Sequence, residues 1–264
     1  MNLETIELEI IEQDSIAIIR LNRPKALNSL NPQLAKDFVE VVNELDGNPN
    51  VRAVIVTGNG KAFSAGGDLM AFKSSDNPKQ FLYDLAEMFH RGIIKLRNMD
   101  APFIAAINGP CFGVGLSLAT ACDFRIAVGS AKFSVAFTGV GLAPDSSLPY
   151  FLPKIVGISK ATEMALLNTT LTAEDALKCG LINGIASEPE NLLEEAKKQA
   201  IKLARMPTKA LGLVKRMYND SYCDSLEEHL EKELKAVSAT AATEDFQEGC
   251  AAFFEKRRPN FKGK

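Results

Sequence analysis

The sequence predicts an α/β protein in which a body of alternating strands and helices is followed by a helical C-terminal region. Up to about residue 146, apolar strand-like runs such as Val51–Thr57 and Phe103–Ile107 alternate with amphipathic helical segments. Beyond that point strand-like runs almost vanish and helical patterns follow one another. No low-complexity linker separates the parts, so we expect one core over residues 1–200 and a helical region over residues 201–264.

Local patterns predict the individual elements. Ile6–Ile10 and Ser15–Leu21 predict a hairpin, and Asn31-Pro32 predicts the start of a helix that runs to about Leu45. Further strand-like segments are Phe124–Val128 and Ala131–Ser134. The other predicted helices are Pro78–Arg97, Gly115–Ala121, Ser147–Pro153, Ser159–Leu167, Ala173–Lys178, Leu192–Ala204, Lys209–Asn219, Ser225–Thr240 and Glu244–Glu255.

Composition excludes several classes of function. The 30 basic and 33 acidic residues give a net charge of −3, which does not favour a nucleic-acid partner. No apolar run approaches the ~20 residues of a membrane span, and the N-terminus does not resemble a signal peptide. The five cysteines form no CxxC pair, and the only histidines, His90 and His229, are far apart. We therefore expect reduced thiols, no metal site and a cytoplasmic location.

Two glycine-rich turns are the strongest functional signal. Ala62–Asp68 follows the Val51–Thr57 run, and Asn108–Gly115 follows Phe103–Ile107 and opens a helix. Glycine allows close approach of the backbone to a ligand, and the first turn of a helix has unpaired N–H groups. Either turn alone is more often an ordinary strand-to-helix connection, because glycine-rich loops between strands and helices are common. Two such turns converging on one carbonyl oxygen would form an oxyanion hole.

The chain resembles the crotonase superfamily of enoyl-CoA hydratases and isomerases over essentially its whole length. The matching segments, in order, are Leu21–Asn28, Ala62–Asp68, Ala106–Asp123, Gly139–Gly157 and Glu255–Phe261. The resemblance implies a crotonase-like core of repeated ββα turns wound as a spiral. It also implies a C-terminal helical region for trimerisation, assembly as a homotrimer or a dimer of trimers, and acyl-CoA thioester substrates. No separate cofactor is expected, because coenzyme A is part of the substrate.

The resemblance assigns candidate site residues. In this family two backbone N–H groups hold the thioester oxygen, and the matching residues are Gly67 and Val114. Many members have glycine at the second position, but valine retains the N–H. Other positions match the substrate-binding groove, namely Lys25, Ala26, Leu27, Ala65, Asp68, Leu69 and Gly113. The predicted apolar walls of the acyl pocket are Phe137, Val140, Leu142 and Leu148.

The chain departs from typical hydratases of the family at both of their catalytic glutamates. The matching positions hold Ser117 and Phe137, and neither side chain can activate water well. Asp145 is the only carboxylate left in the segments where the family keeps its acids. The surrounding sequence, Gly-Leu-Ala-Pro-Asp, resembles that of members that move double bonds.

We therefore predict an enoyl-CoA isomerase that converts 3-enoyl-CoA to 2-enoyl-CoA in fatty-acid or aromatic-acid degradation, with Asp145 as its acid and base. The Pro78–Arg97 helix and the Phe72–Asn77 loop are expected to shape the acyl pocket. Alternatives stay open: Asp145 as a helix N-cap, or as the nucleophile of a thioester-dependent dehalogenase or hydrolase assisted by His90. An enoyl-CoA hydratase and a non-catalytic acyl-CoA binder are the others.

Overall fold

The computed structural model describes residues 1–264 and has the predicted α/β architecture. The strands are β1 (Ile6–Ile11), β2 (Ile16–Leu21), β3 (Ala53–Gly58), β4 (Phe103–Ile107), β5 (Cys111–Phe112), β6 (Phe124–Ala127), β7 (Lys132–Ser134), β8 (Leu171–Thr172) and β9 (Gly184–Ile185). The helices of the body are α1 (Pro32–Leu45), α2 (Leu69–Lys73), α3 (Pro78–Asn98), α4 (Val114–Ala121), α5 (Leu148–Val156), α6 (Ile158–Leu166), α7 (Ala173–Lys178) and α8 (Leu192–Ala204). The C-terminal helices are α9 (Thr208–Asp220), α10 (Leu226–Ala241) and α11 (Glu244–Phe254).

Two sheets organise the body. The larger has the order β1-β2-β3-β4-β6-β9, in which β1 and β2 form the predicted antiparallel hairpin and every other pair is parallel. Strands β3 and β4 are buried along their whole length, as expected for a parallel sheet covered on both faces. The smaller sheet has the order β5-β7-β8. The connections that leave β3 and β4 are the two glycine-rich turns.

The two long helices of the body begin where local capping places them. Asn31 caps α1 because its side-chain oxygen accepts the Leu34 N–H at 2.9 Å, and a proline occupies the first helical position. Asn77 caps α3 in the same way, at 3.2 Å from the Gln80 N–H. Both helices therefore begin where the sequence predicts.

One hydrophobic core occupies the body. It contains 58 buried residues from Ile6 to Ala204, with no member from residues 205–264. The predicted boundary near residue 200 coincides with the end of this core, and a division of the chain there stays a prediction. No helix has both the length and the apolar character that crossing a bilayer requires. The chain also contains no cluster of side chains suited to holding a metal ion, and all five cysteines are free.

Candidate active site

The first glycine-rich turn is held between two other segments of the chain. On one side the Leu30 N–H donates to the Gly66 carbonyl oxygen at 2.7 Å, and on the other the Phe112 N–H donates to the Ser64 carbonyl oxygen at 2.9 Å. A parallel bridge reinforces each contact. Three separate stretches of sequence thus meet around this turn.

The second turn touches the first through glycines. Gly66 and Gly113 have φ angles of 106° and 52°, in the region that side chains other than glycine rarely adopt. A β-carbon at Gly113 would lie 3.3 Å from the Cα atom of Gly66, and one at Gly115 would lie 2.6 Å from the Ser64 carbonyl oxygen. The two turns can therefore approach this closely only without side chains at these positions.

The two candidate donor amides are free of protein acceptors. Neither the Gly67 N–H nor the Val114 N–H donates a hydrogen bond within the protein, and both residues line one cavity. Val114 is the first residue of α4, where the helix has no internal acceptor for its N–H. Its φ lies outside the left-handed region, so the β-branched side chain introduces no backbone strain there.

The cavity beside these amides has a volume of about 380 Å³ and mainly apolar walls. Asp145 is its only carboxylate. The wall also includes six of the other predicted site residues, namely Ala65, Leu69, Gly113, Phe137, Val140 and Leu142. Helix α3 contributes Leu82, Tyr83, Leu85 and Ala86, so the predicted Pro78–Arg97 helix does shape the cavity. Of the predicted Phe72–Asn77 loop only Phe72 lines it, and that residue lies in α2.

Asp145 has an unusual environment for a carboxylate. Its Oδ1 atom is buried without a hydrogen-bond partner. Burial raises the pKa of Asp145 above its usual value, because it disfavours the charged form, and the nearby Ser146 and His90 side chains offset this only in part. Helix α5 begins only at Leu148, with Ser147 at the N-cap position and no side-chain capping bond. The alternative that Asp145 serves as a helix N-cap is therefore wrong.

Ser117 and Phe137 occupy the positions where hydratases of the family carry glutamates. Ser117 is fully buried, and its hydroxyl oxygen lies 3.1 Å from the Asp145 carbonyl oxygen and 3.3 Å from the Gly113 carbonyl oxygen. Phe137 is 8% exposed and forms part of the cavity wall. Neither position therefore supplies a second acid or base to the cavity.

Four predicted groove residues do not line the cavity. Lys25 and Leu27 are exposed beside the first turn, with Ala26 between them. The Asp68 carboxylate pairs with Arg23 at 2.8 Å and accepts the Ala71 N–H at the start of α2. Burial alone would raise the pKa of Asp68, but these hydrogen bonds lower it below its usual value. Asp68 thus has a structural role in joining two of the segments.

Sequence reasoning was wrong about one wall residue and missed others. Leu148 lies in the core and lines a different cavity. His90 contacts the Asp145 segment, since its Nε2 atom accepts the Ser146 N–H at 3.1 Å. The sequence suggests His90 only as a base that could assist Asp145, and it gives no signal of this bond to the main chain. The wall residues that were missed are Leu30, Ala136 and Ala143.

The parallel body and the paired turns beside one apolar cavity define the chain as a crotonase-fold protein. It belongs to the enoyl-CoA hydratase/isomerase family, whose model matches residues 11–264. The predicted superfamily and fold class are thereby confirmed. The chain belongs to a family of enzymes that act on acyl-CoA thioesters.

Individual relatives have several named activities. A probable enoyl-CoA hydratase of Mycobacterium tuberculosis is 35% identical over 97% of this chain and 98% of its own length. The 1,2-epoxyphenylacetyl-CoA isomerase of Escherichia coli is 34% identical over 96% and 97%. A crystal structure of an enoyl-CoA hydratase from Bacillus anthracis has a TM-score of 0.92 at 30% identity, covering 99% of this chain and 100% of that one. Other relatives are a trans-2-decenoyl-[acyl-carrier-protein] isomerase and 4-chlorobenzoyl coenzyme A dehalogenases. Membership alone therefore does not choose between these reactions.

Proposed function

We propose that this chain is an enoyl-CoA isomerase that moves a double bond from C3 to C2 of an acyl-CoA thioester. One observation carries the proposal: Asp145 is the single carboxylate on the wall of the cavity that Gly67 and Val114 also line. One acid-base group and one oxyanion hole are sufficient for this reaction. Both are available at the same apolar cavity.

The two free amides supply the electrostatic part of the mechanism. The thioester oxygen would accept hydrogen bonds from the Gly67 and Val114 N–H groups, which have no protein acceptor to give up. Removal of a proton next to the thioester places negative charge on that oxygen. Donors that are already oriented stabilise this charge, each by on the order of 10²–10³ in rate.

Asp145 supplies the proton transfer. Its carboxylate takes the proton from C2 of the 3-enoyl thioester, and the electron pair of that C–H bond enters a dienolate. The same carboxyl group then returns the proton to C4, which leaves the double bond between C2 and C3. Because burial raises the pKa of Asp145, its carboxylate is a stronger base than that of an exposed aspartate. The protonated form that must exist between the two proton transfers is also easier to reach.

The other named activities fit the site less well. Hydration needs one group to activate water and another to protonate carbon, and positions 117 and 137 supply neither. An aspartyl-nucleophile mechanism needs a base for its hydrolytic step, and the Nε2 lone pair of His90 is already bonded to the Ser146 N–H. A protein that only binds acyl-CoA has no use for a buried carboxylate without partners.

The proposal includes self-assembly in the cytoplasm. On α10, the side chains of Leu226, Leu230, Leu234 and Val237 follow a seam and are between 47% and 69% exposed. An apolar stripe of this length on a single chain is typical of an interface between subunits. A homotrimer, or a hexamer formed from two trimers, would cover it.

The test is product analysis with a panel of linear and aryl 3-enoyl-CoA thioesters. We expect the wild-type protein to form the conjugated 2-enoyl thioester, without a change in mass. Asp145→Asn should reduce kcat by about 10²–10⁴-fold and leave KM within about threefold, because only the acid-base group is lost.

Other products would contradict the proposal. A gain in mass of one water would indicate hydration. A covalent adduct on Asp145 would indicate nucleophilic catalysis. Tight binding of every thioester without turnover would indicate a binding protein.

A further inference from the structure

The segment that carries Asp145 has an unfavourable backbone conformation, which contacts with other parts of the protein must stabilise. Ser146 and Ser147 have φ angles of 53° and 71°, so two successive residues with side chains are left-handed. Such conformations are costly and persist only where surrounding structure determines them. Neither serine hydroxyl contributes, since both oxygens are buried without hydrogen-bond partners.

Two side chains hold this segment through its main chain. The Ser117 hydroxyl lies 3.1 Å from the Asp145 carbonyl oxygen, and the Ser146 N–H donates to His90 Nε2 at 3.1 Å. Ser146 itself is only 1% exposed, so water could replace the histidine only by entering the core. The bond to His90 is thus the only one that satisfies this buried amide.

His90 also connects the segment to the acyl cavity. It lies on α3 four residues beyond Ala86 and eight beyond Leu82, on the same side of the helix. Both of those residues line the cavity, whereas His90 does not. One rigid helix therefore forms the cavity wall and holds the amide next to Asp145.

We propose that His90 is the positioning residue for Asp145: by accepting the Ser146 N–H, it keeps the left-handed serines in place and the carboxylate on the cavity wall. An imidazole nitrogen accepts a hydrogen bond only when it carries no proton. His90 therefore acts as a neutral ring with its proton on Nδ1. This role rests on the proposed isomerase function, in which Asp145 is the only acid-base group.

The test compares two carboxamides that differ only in reach. In His90→Gln the side-chain oxygen can occupy the place of Nε2, whereas in His90→Asn it is too short to reach the Ser146 N–H. We expect Gln to keep kcat within about threefold and Asn to lose about 10–100-fold, with KM little changed in both, because a carboxylate displaced by an ångström transfers protons poorly. The same pair of substitutions at His229, on α10, serves as a control and should leave kcat unchanged.

Two kinetic outcomes would overturn the proposal. If Gln falls as far as Asn, His90 acts through its own proton rather than by positioning. If Asn keeps full activity, the hydrogen bond does not support Asp145. Thermal unfolding of each variant identifies any loss that comes from misfolding.

A spectroscopic measurement separates this proposal from the proposed function. In the ¹⁵N-labelled wild-type protein, we expect an unprotonated Nε2 in His90 and scalar coupling between that nitrogen and the Ser146 amide nitrogen. This result would stand even if no 3-enoyl-CoA were turned over. A His90 ring protonated on Nε2 would overturn the positioning role whatever the activity.

Discussion

Two inward-facing aspartates of this protein have opposite environments. Asp37, on α1, accepts hydrogen bonds from the Thr5 N–H at 2.8 Å, the Thr5 hydroxyl at 2.7 Å, the Glu4 N–H at 3.0 Å and the Gln33 amide at 2.7 Å. Burial would raise the pKa of Asp37, but these bonds outweigh it and the pKa lies below its usual value. Asp145 has no comparable set of donors, since its Oδ1 atom is buried without a partner, and burial raises its pKa.

This difference distinguishes a carboxylate with a structural role from one suited to acid-base catalysis. The partners of Asp37 replace the water that it loses, so it stays ionised and ties the N-terminus to α1. The pKa of Asp145 is raised because burial disfavours its charged form and its few polar neighbours do not offset that cost. Asp37 is the more buried of the two and still has the lowered pKa, so the hydrogen-bond partners and not the degree of burial account for the difference.

The largest expected effect is a difference in kcat between matched substitutions of the two aspartates. Asp145→Asn should lower kcat by about 10²–10⁴-fold, while Asp37→Asn should leave kcat within about twofold, because only the first removes an acid-base group. Steady-state kinetics on 3-enoyl-CoA measures both. Equal losses in the two variants would remove the distinction that we draw.

The second effect concerns the turns beside Asp145. Gly113→Ala should lower kcat by about 10²-fold, since its β-carbon must separate the two glycine turns that carry the donor amides. Gly47→Ala is the matched control, because Gly47 also has a positive φ, 73°, but has no atom within 4 Å of the added carbon. Only the first variant should lose activity. Similar losses in both would indicate that backbone strain alone is responsible.

The third effect is on stability. Asp37→Asn should lower the free energy of unfolding by about 2 kcal/mol, because at least two buried N–H or O–H donors lose a charged acceptor. Urea unfolding monitored by circular dichroism measures the change. An unchanged midpoint would show that water satisfies these donors in the variant.

The fourth effect is smaller and has the opposite sign. Asp145→Asn should raise the free energy of unfolding by about 1 kcal/mol at neutral pH, because it removes a partly buried charge whose Oδ1 atom has no hydrogen-bond partner. The same urea titration would detect the gain. A loss of stability would mean that the charge has partners.

The last effect is the pH dependence of these two differences. The lowered pKa of Asp37 gives stability that is complete above the unfolded-chain value of about 3.9 and is lost as pH falls through the folded-state value. The raised pKa of Asp145 gives stability below about pH 3.9 that is lost as pH rises through its folded-state value. The Asp145→Asn difference should therefore grow with rising pH, and the Asp37→Asn difference should shrink in acid. Unfolding titrations across this range would reveal parallel curves if the aspartates were equivalent.

Much of the fold could be predicted because its elements are long enough to show a period. The hairpin β1–β2, the helices α1 and α3, and the helical C-terminal region all follow from local patterns. The two-residue strands β5, β8 and β9 and the short α2 could not be found in that way. They exist through pairing and packing with distant segments, which no local period encodes.

The candidate site was predicted only in part for a similar reason. Glycine turns and an isolated carboxylate are visible in the sequence, and so is the resemblance that relates them. The bond between His90 and Ser146 joins residues 56 positions apart, and serine is not a residue that predicts a left-handed backbone. Leu148 was misplaced because α5 starts at that residue and turns it into the core.

The contact between Gly66 and Gly113 makes the spacing of the two donor amides independent of any side chain. The main chain alone fixes this distance, so surrounding side chains can be replaced without changing it. Carboxylates installed at positions 117 and 137 would address other atoms of a thioester held in the same grip. Relocating the acid groups would therefore redirect the chemistry without rebuilding the part that holds the substrate.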